Sequence, residues 1–196
     1  VKVGIDAGQR DALETVESEL LAADCPAAAG AGCKSSARYA LNEDEFLPRR
    51  FSGYADALGY FRAQIDAARA GANYSALQRG LFGAGAVAQR TGKLSEAANY
   101  YEASLAAARN EHDRKREAWA LNNIGLVEFD SGRYASAAQY QQQALELRRQ
   151  LYRDEHREIA DSYNNIGIAE YALDHYCAAL GWHSQALALR QRLHAA

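Results

Sequence analysis

The segment ALNNIGLVEFDSGRY at residues 120–134 returns as SYNNIGIAEYALDHY at residues 162–176. A return at fixed period constrains architecture more than composition does. Each unit is then one supersecondary element that cannot bury its apolar face alone and must stack on its neighbours. Gly125 aligns with Gly167 and, one unit upstream, with Gly85. Around these glycines stand Leu81, Leu121 and Tyr163 four residues before, Leu94, Tyr134 and Tyr176 nine after, Ala97, Ala137 and Ala179 twelve after, and Tyr100, Tyr140 and Trp182 fifteen after. Laying FSGYADALGYFRAQIDAAR on TGKLSEAANYYEASLAAAR, at the same offset that separates Gly85 from Gly125, pairs Ala57 with Ala97, Tyr60 with Tyr100 and Ile65 with Leu105. Residues 51–69 are therefore expected to be the second helix of a fourth, degraded unit.

Ala, Leu, Glu, Gln and Arg dominate from residue 52 onward, and the only prolines are Pro26 and Pro48, so each unit favours helix. The turns TGKL and SGRY place a glycine where a left-handed residue ends a helix without a Cβ penalty. Helix pairs are predicted at 74–90 with 94–109, 114–130 with 134–151, and 157–172 with 176–193. Small residues at the glycine and alanine slots let the two backbones approach, and the aromatics fill the space between pairs. The expected fold is all-α, a right-handed α-solenoid with units near 52–72 (half), 73–112, 113–154 and 155–196. It follows an N-terminal region, 1–51, that contains an amphipathic helix (DALETVESELLAAD) and an insertion.

These units resemble the tetratricopeptide repeat, whose pattern of Leu-Gly, Ala and aromatic slots they follow over roughly residues 52–196. The long period, together with LNNIG, ALELRRQL and DEHREIA, is similar to the kinesin-light-chain-like subtype found in bacterial proteins. Three departures stand out. The period, set by the spacing of Gly85, Gly125 and Gly167, is longer than the roughly 34 residues usual for the family. The slot four residues after the alanine holds Tyr101, then Gln141 and His183, and Asp174 replaces the helix-ending glycine of the last unit.

The first helix of each pair lines the concave side of such a stack. At helical spacing, the inward positions are Asn122, Asn123 and Phe129, then Asn164, Asn165 and Tyr171, with Phe82, Gly83 and Gln89 in the earlier unit. Trp119, Arg79, Arg90, Asp130 and Asp161 join them by register. An Asn carries a donor and an acceptor and so can engage both the N–H and the C=O of an extended peptide, each bond being worth about 0.5–1.5 kcal/mol net. The resemblance implies that use, since repeats of this subtype hold extended peptides with concave-face asparagines. The other reading is that one Asn of each pair bonds a neighbouring helix and fixes the stacking. The glycines and tyrosines are explained by packing, whereas packing alone does not require the asparagines. The expected function is thus a non-enzymatic scaffold, an adaptor or sensor part of a larger protein, that binds a protein or peptide. The alternative is a regulatory sensor for a small signal peptide or metabolite. The mixed charge of these positions points to neither a strongly acidic nor a strongly basic peptide.

Other classes find little support. A net charge of −3 without a basic stripe argues against nucleic acid, and no run approaches the roughly 18 apolar residues of a membrane span. His112, His156, His175, His183 and His194 form no metal-ligand or catalytic spacing, so no catalytic residue, metal or cofactor is expected. His112 and His156 fall between helix pairs, where a capping or turn role fits. The stretch GLFGAGAVAQRTG lacks a preceding strand and is a repeat helix, not a dinucleotide loop. Cys25 and Cys33 flank a Gly/Ala loop and form a candidate disulfide, or two free thiols, while Cys177 is expected to be a small buried packing residue. The compartment expected is the cytoplasm, or an extracytoplasmic one if that disulfide forms. The last helix, predicted to end at Leu193 with Leu180, Leu187 and Leu189 and no polar capping helix, is expected either to be followed by more chain or to self-associate.

Overall fold

A computed structural model describes residues 53–152 and 156–195. Among them are seven α-helices: α1 Tyr54–Ala70, α2 Tyr74–Arg90, α3 Leu94–Asn110, α4 Arg114–Asp130, α5 Tyr134–Tyr152, α6 Arg157–Ala172 and α7 Tyr176–Ala195. The pairs are α2 with α3, α4 with α5, and α6 with α7, preceded among the described residues by α1. The three predicted pairs therefore form, each ending within two residues of the expected position. The α1 helix starts at Tyr54, with Gly53 in an extended conformation before it.

Local chemistry recurs with the period. The first helix of each pair opens on a side-chain cap: Asn73 accepts from Ala76 N–H at 3.0 Å, Asp113 from Arg116 N–H at 3.0 Å, and His156 Nδ1 from Glu158 N–H at 3.2 Å. Each cap satisfies one orphan donor of the first turn. The helices end on left-handed residues, Gly92 (φ 74°), Gly132 (φ 76°) and Asp174 (φ 63°) after the first helices, Ala72 (φ 49°) and His112 (φ 53°) after the second. Asp174 keeps the turn that glycine makes elsewhere, with Asp174 N–H donating to Tyr171 O and His175 N–H to Glu170 O, both at 3.0 Å. The turn and capping roles expected of His112 and His156 are both observed.

Every helix packs against its neighbours in the chain. The α1–α2 contact is especially close, since a Cβ built on Gly83 would clash with the Phe61 ring. The three larger apolar clusters run along the stack. Ala57, Ile65, Leu81 and Val87 form the first, Tyr101, Leu105, Leu121 and Ile124 the second, and Leu145, Ile159, Ile166 and Leu189 the third. The first pair also holds a buried polar contact: Gln78 Nε2 donates to Ser104 O at 3.0 Å, and the Ser104 hydroxyl donates back to Gln78 Oε1. Ala118 with Ala144, and Ala160 with Ala186, fill the same positions in the later pairs.

Residues 1–51, and with them Cys25 and Cys33, lie outside the described residues. Cys177 is exposed on the first turn of α7, not buried as expected, because its neighbour Tyr176 faces Tyr171 and turns position 177 outward.

Candidate functional site

The first helices α2, α4 and α6 stand side by side and are linked through their side chains. Gln89 Nε2 donates to Asp130 Oδ2 at 2.7 Å between α2 and α4, and Trp119 Nε1 donates to Glu158 Oε2 at 2.9 Å between α4 and α6. At the edge of this face the Tyr74 hydroxyl donates to Asp113 Oδ2 at 3.0 Å; burial first, then this bond, pushes its pKa up to about 12.

What stands opposite each repeat glycine decides the chemistry of the face. A Cβ on Gly85 would lie 2.7 Å from the Tyr101 ring, on Gly125 2.8 Å from Gln141 Nε2, and on Gly167 2.9 Å from the His183 ring. Tyr101 is an aromatic filler, and it packs beside Phe82 with ring centroids 6.2 Å apart. Gln141, 1% exposed, and His183, half-buried, bring polar groups inside and require partners there. Gln141 Nε2 donates to Asn122 O at 2.9 Å, and its Oε1 lies 3.5 Å from Asn165 Nδ2. His183 Nδ1 lies 3.2 Å from Asn164 Oδ1. Burial, and secondarily the Arg190 charge, lowers the His183 pKa and favours the neutral ring. The asparagine pairs therefore occur in the two units whose slot is polar, and the unit with Tyr101 has Phe82-Gly83 in their place.

Arg148 joins these contacts from behind. It is 4% exposed, on α5, and its Nη1 donates to Ser162 Oγ at 2.6 Å, to Glu158 O at 3.1 Å and to Asn122 Oδ1 at 3.4 Å. Its Nε lies 3.2 Å from Glu158 Oε2, the oxygen that also accepts from Trp119. Burial lowers the Arg148 pKa, with Glu158 opposing. Asn165 Nδ2 then donates to Asn122 Oδ1 at 3.2 Å. One buried cation thus connects Trp119, Glu158, Ser162, Asn122 and Asn165 at the seam between the second and third pairs. Sequence reasoning missed Arg148, although it falls on the stripe of Gln141, Ala144 and Leu145 that the helix buries.

All four asparagines are half-buried. Three bond to neighbouring helices, while Asn123 Nδ2 donates to its own helix at Trp119 O, 2.7 Å away. Packing therefore does use the asparagines, contrary to expectation, because the polar fillers of the glycine slot need them. Trp119 is half-buried, with Lys115 Nζ at 5.3 Å and the Arg116 guanidinium at 5.5 Å from its ring centroid. Phe129 turns into the seam against Ala137, Ala138 and Ala169, while its counterpart Tyr171 is 44% exposed beside Tyr176. Arg79 is exposed, Gln89 is half-buried, and Asp161 accepts from Arg190 at 3.0 Å. Among the described residues no group of three His, Cys, Asp or Glu is placed to hold a metal ion, and no helix is long and apolar enough to cross a membrane.

Residues 116–192 match the family model of the tetratricopeptide repeat. No curated protein matches the sequence. Among solved structures, the chain is similar to BtubC (BKLC) from P. vanneervenii, with 20% identity and TM-score 0.64 over 73% of this chain and 59% of that one. It is also similar to the apo form of RapI, with 17% identity and TM-score 0.58 over 71% of this chain and 47% of that one. The chain thus spans between about half and three-fifths of the length of these two structures, and at these identities they speak for the fold.

Proposed function

We propose that this chain, a tetratricopeptide-repeat protein and an all-α solenoid of helix pairs, holds an extended peptide segment of a partner protein along the face formed by α2, α4 and α6. The observation that carries the reading is the composition of that face. Half-buried amides from Asn122, Asn123, Asn164, Asn165 and Gln89 alternate along it with the aromatic surfaces of Trp119 and Tyr171. Apolar rings supply area and amides supply sequence-tolerant hydrogen bonds, and a linear segment meets both at once. The outcome is binding, with no chemical turnover.

A photo-crosslinking residue placed at Arg79 or Tyr171, both exposed on this face, is expected to capture members of a pool of degenerate decapeptides. The same residue at Gln143, exposed on the second helix α5, serves as the control. Equal capture at all three positions, or capture at Gln143 alone, would remove the basis for the proposal.

Self-association is proposed at the outer side of the last described pair. Phe129 is covered there by Ala169 of the next first helix, whereas Tyr171 and Leu193 are 44% and 36% exposed. Sedimentation at rising concentration is expected to reveal dimers that a Tyr171→Glu change dissolves. A wild-type chain that stays monomeric rejects this contact.

A further inference from the structure

An amide seen in a structure does not by itself tell its oxygen from its nitrogen, so the polarity of the asparagine pairs must come from their partners. Arg148 supplies a fixed reference, because a guanidinium only donates. Asn122 therefore meets it with Oδ1, at 3.4 Å, and turns Nδ2 away. That oxygen also accepts from Asn165, which must approach it with Nδ2, at 3.2 Å, and turn Oδ1 away. A carbonyl only accepts, so Asn123 faces Trp119 O with Nδ2 and leaves Oδ1. His183 Nδ1 lies 3.2 Å from the Asn164 amide, and an imidazole nitrogen donates or accepts according to tautomer, so Asn164 takes no fixed polarity from it. None of the three remaining atoms, Nδ2 of Asn122, Oδ1 of Asn123 and Oδ1 of Asn165, has a partner among the described residues, and none is among the side-chain atoms sealed from solvent without one.

We infer that Arg148 is a positioning residue that fixes the polarity of Asn122 and, through it, of Asn165, so that together with Asn123 the face presents one donor, Nδ2 of Asn122, and two acceptors, Oδ1 of Asn123 and Oδ1 of Asn165. The ligand this matches is a main chain in extended conformation, whose C=O meets the donor and whose N–H groups meet the acceptors. A helical segment, with its backbone groups already bonded internally, is excluded from this contact. The inference rests on the proposed peptide-binding face and adds to it the chemical feature that is read, together with a buried residue that sets it without touching the ligand.

The arrangement makes three of the asparagines unequal. Asn→Asp conserves shape and replaces the amide nitrogen by a second acceptor. At Asn122 the inward bond is accepted by oxygen and survives, so the outward donor alone is lost. At Asn123 and Asn165 the inward donor is lost and two acceptors are brought face to face. Asn122→Asp is therefore expected to leave the melting temperature within a degree or so of wild type and to weaken retention of a degenerate decapeptide pool about tenfold. Asn123→Asp and Asn165→Asp are each expected to lower the melting temperature by several degrees. Arg148→Met, which frees the amides of Asn122 and Asn165 to rotate, is expected to weaken retention although it lies behind the face, and Arg148→Lys is expected to restore part of it. Equal thermal losses at Asn122 and Asn165 would overturn the assigned polarity. Full retention by the folded Asn122→Asp chain would overturn the outward donor and leave the peptide-binding face standing. A wild-type chain that retains no peptide would instead remove the proposed function, while the thermal asymmetry would still decide the polarity.

Discussion

Replacing Arg148 tests the account of the seam most directly. In Arg148→Ala the chain loses a guanidinium that is 4% exposed and donates to Ser162 Oγ, Glu158 O and Asn122 Oδ1. Ser162, 0% exposed, is left with a buried hydroxyl, an effect worth about 1–3 kcal/mol. Breaking a fully buried ion pair costs about 3–5 kcal/mol. Glu158 retains 22% side-chain exposure and its bond from Trp119, so the lower end applies, about 3 kcal/mol in all. Arg148→Met keeps the apolar stem and removes the guanidinium's desolvation together with its bonds, so roughly half that loss is expected. For a domain of this size, about 3 kcal/mol corresponds to a fall in melting temperature of about 6–12 °C. The loss is local to one interface of a stack in which each pair touches only its neighbours, so α6 and α7 should open before the rest. Trp119 and Trp182 are the two tryptophans, on either side of this division, and single Trp→Phe changes separate their signals in urea unfolding. In Arg148→Ala the Trp182 transition is expected to precede the helical signal. A loss below about 1 kcal/mol, or transitions that shift together, would refute the reasoning.

Three further outcomes follow from the geometry. Gly125→Ala places a Cβ 2.8 Å from Gln141 Nε2 and 3.3 Å from Ala137 O and is expected to cost about 1–3 kcal/mol, whereas Gly181→Ala, with nothing within 4 Å, is expected to stabilise by up to about 1 kcal/mol; chemical denaturation distinguishes the two. Asp174→Gly relieves a left-handed aspartate (φ 63°) but loses the bond from the Tyr176 hydroxyl at 2.7 Å, so calorimetry is expected to find a gain of about 0.5 kcal/mol. His183 has a folded pKa below the usual 6.5, so its contribution is complete above about pH 6.5 and is lost as pH falls toward the folded value, where the unfolded chain takes up the proton first. Thermal melts from pH 7.5 to pH 5 are expected to show this decline, reduced in His183→Gln.

The repeat carried most of the architecture into view before any coordinates. The spacing of Gly85, Gly125 and Gly167 located the close helix contacts, and TGKL and SGRY located the helix ends, because both depend on a residue's own size and backbone freedom. The proposed face was legible as a set of register positions, Asn122, Asn123, Asn164 and Asn165 among them. Their bonds were not legible. Gln141 and His183 were recognised as departures at the slot opposite the glycine, yet nothing local says that a polar side chain there must draw an amide from the facing helix. Phe129 and Tyr171 occupy the same register, and only the next pair, present after Phe129, distinguishes a covered ring from an exposed one.

The division is physical. Period, helix content, caps and turns come from interactions between residues close in the chain or from side-chain volume at a fixed register, and the sequence determined them by itself. The polarity of Asn122, and through it of Asn165, depends on Arg148, which is 26 residues from Asn122 and 14 from Ser162 along the chain. Only the stacking of α4, α5 and α6 brings that guanidinium within hydrogen-bond distance of both, where burial leaves it no water to bond instead. Tertiary structure therefore decided which way these two amides point.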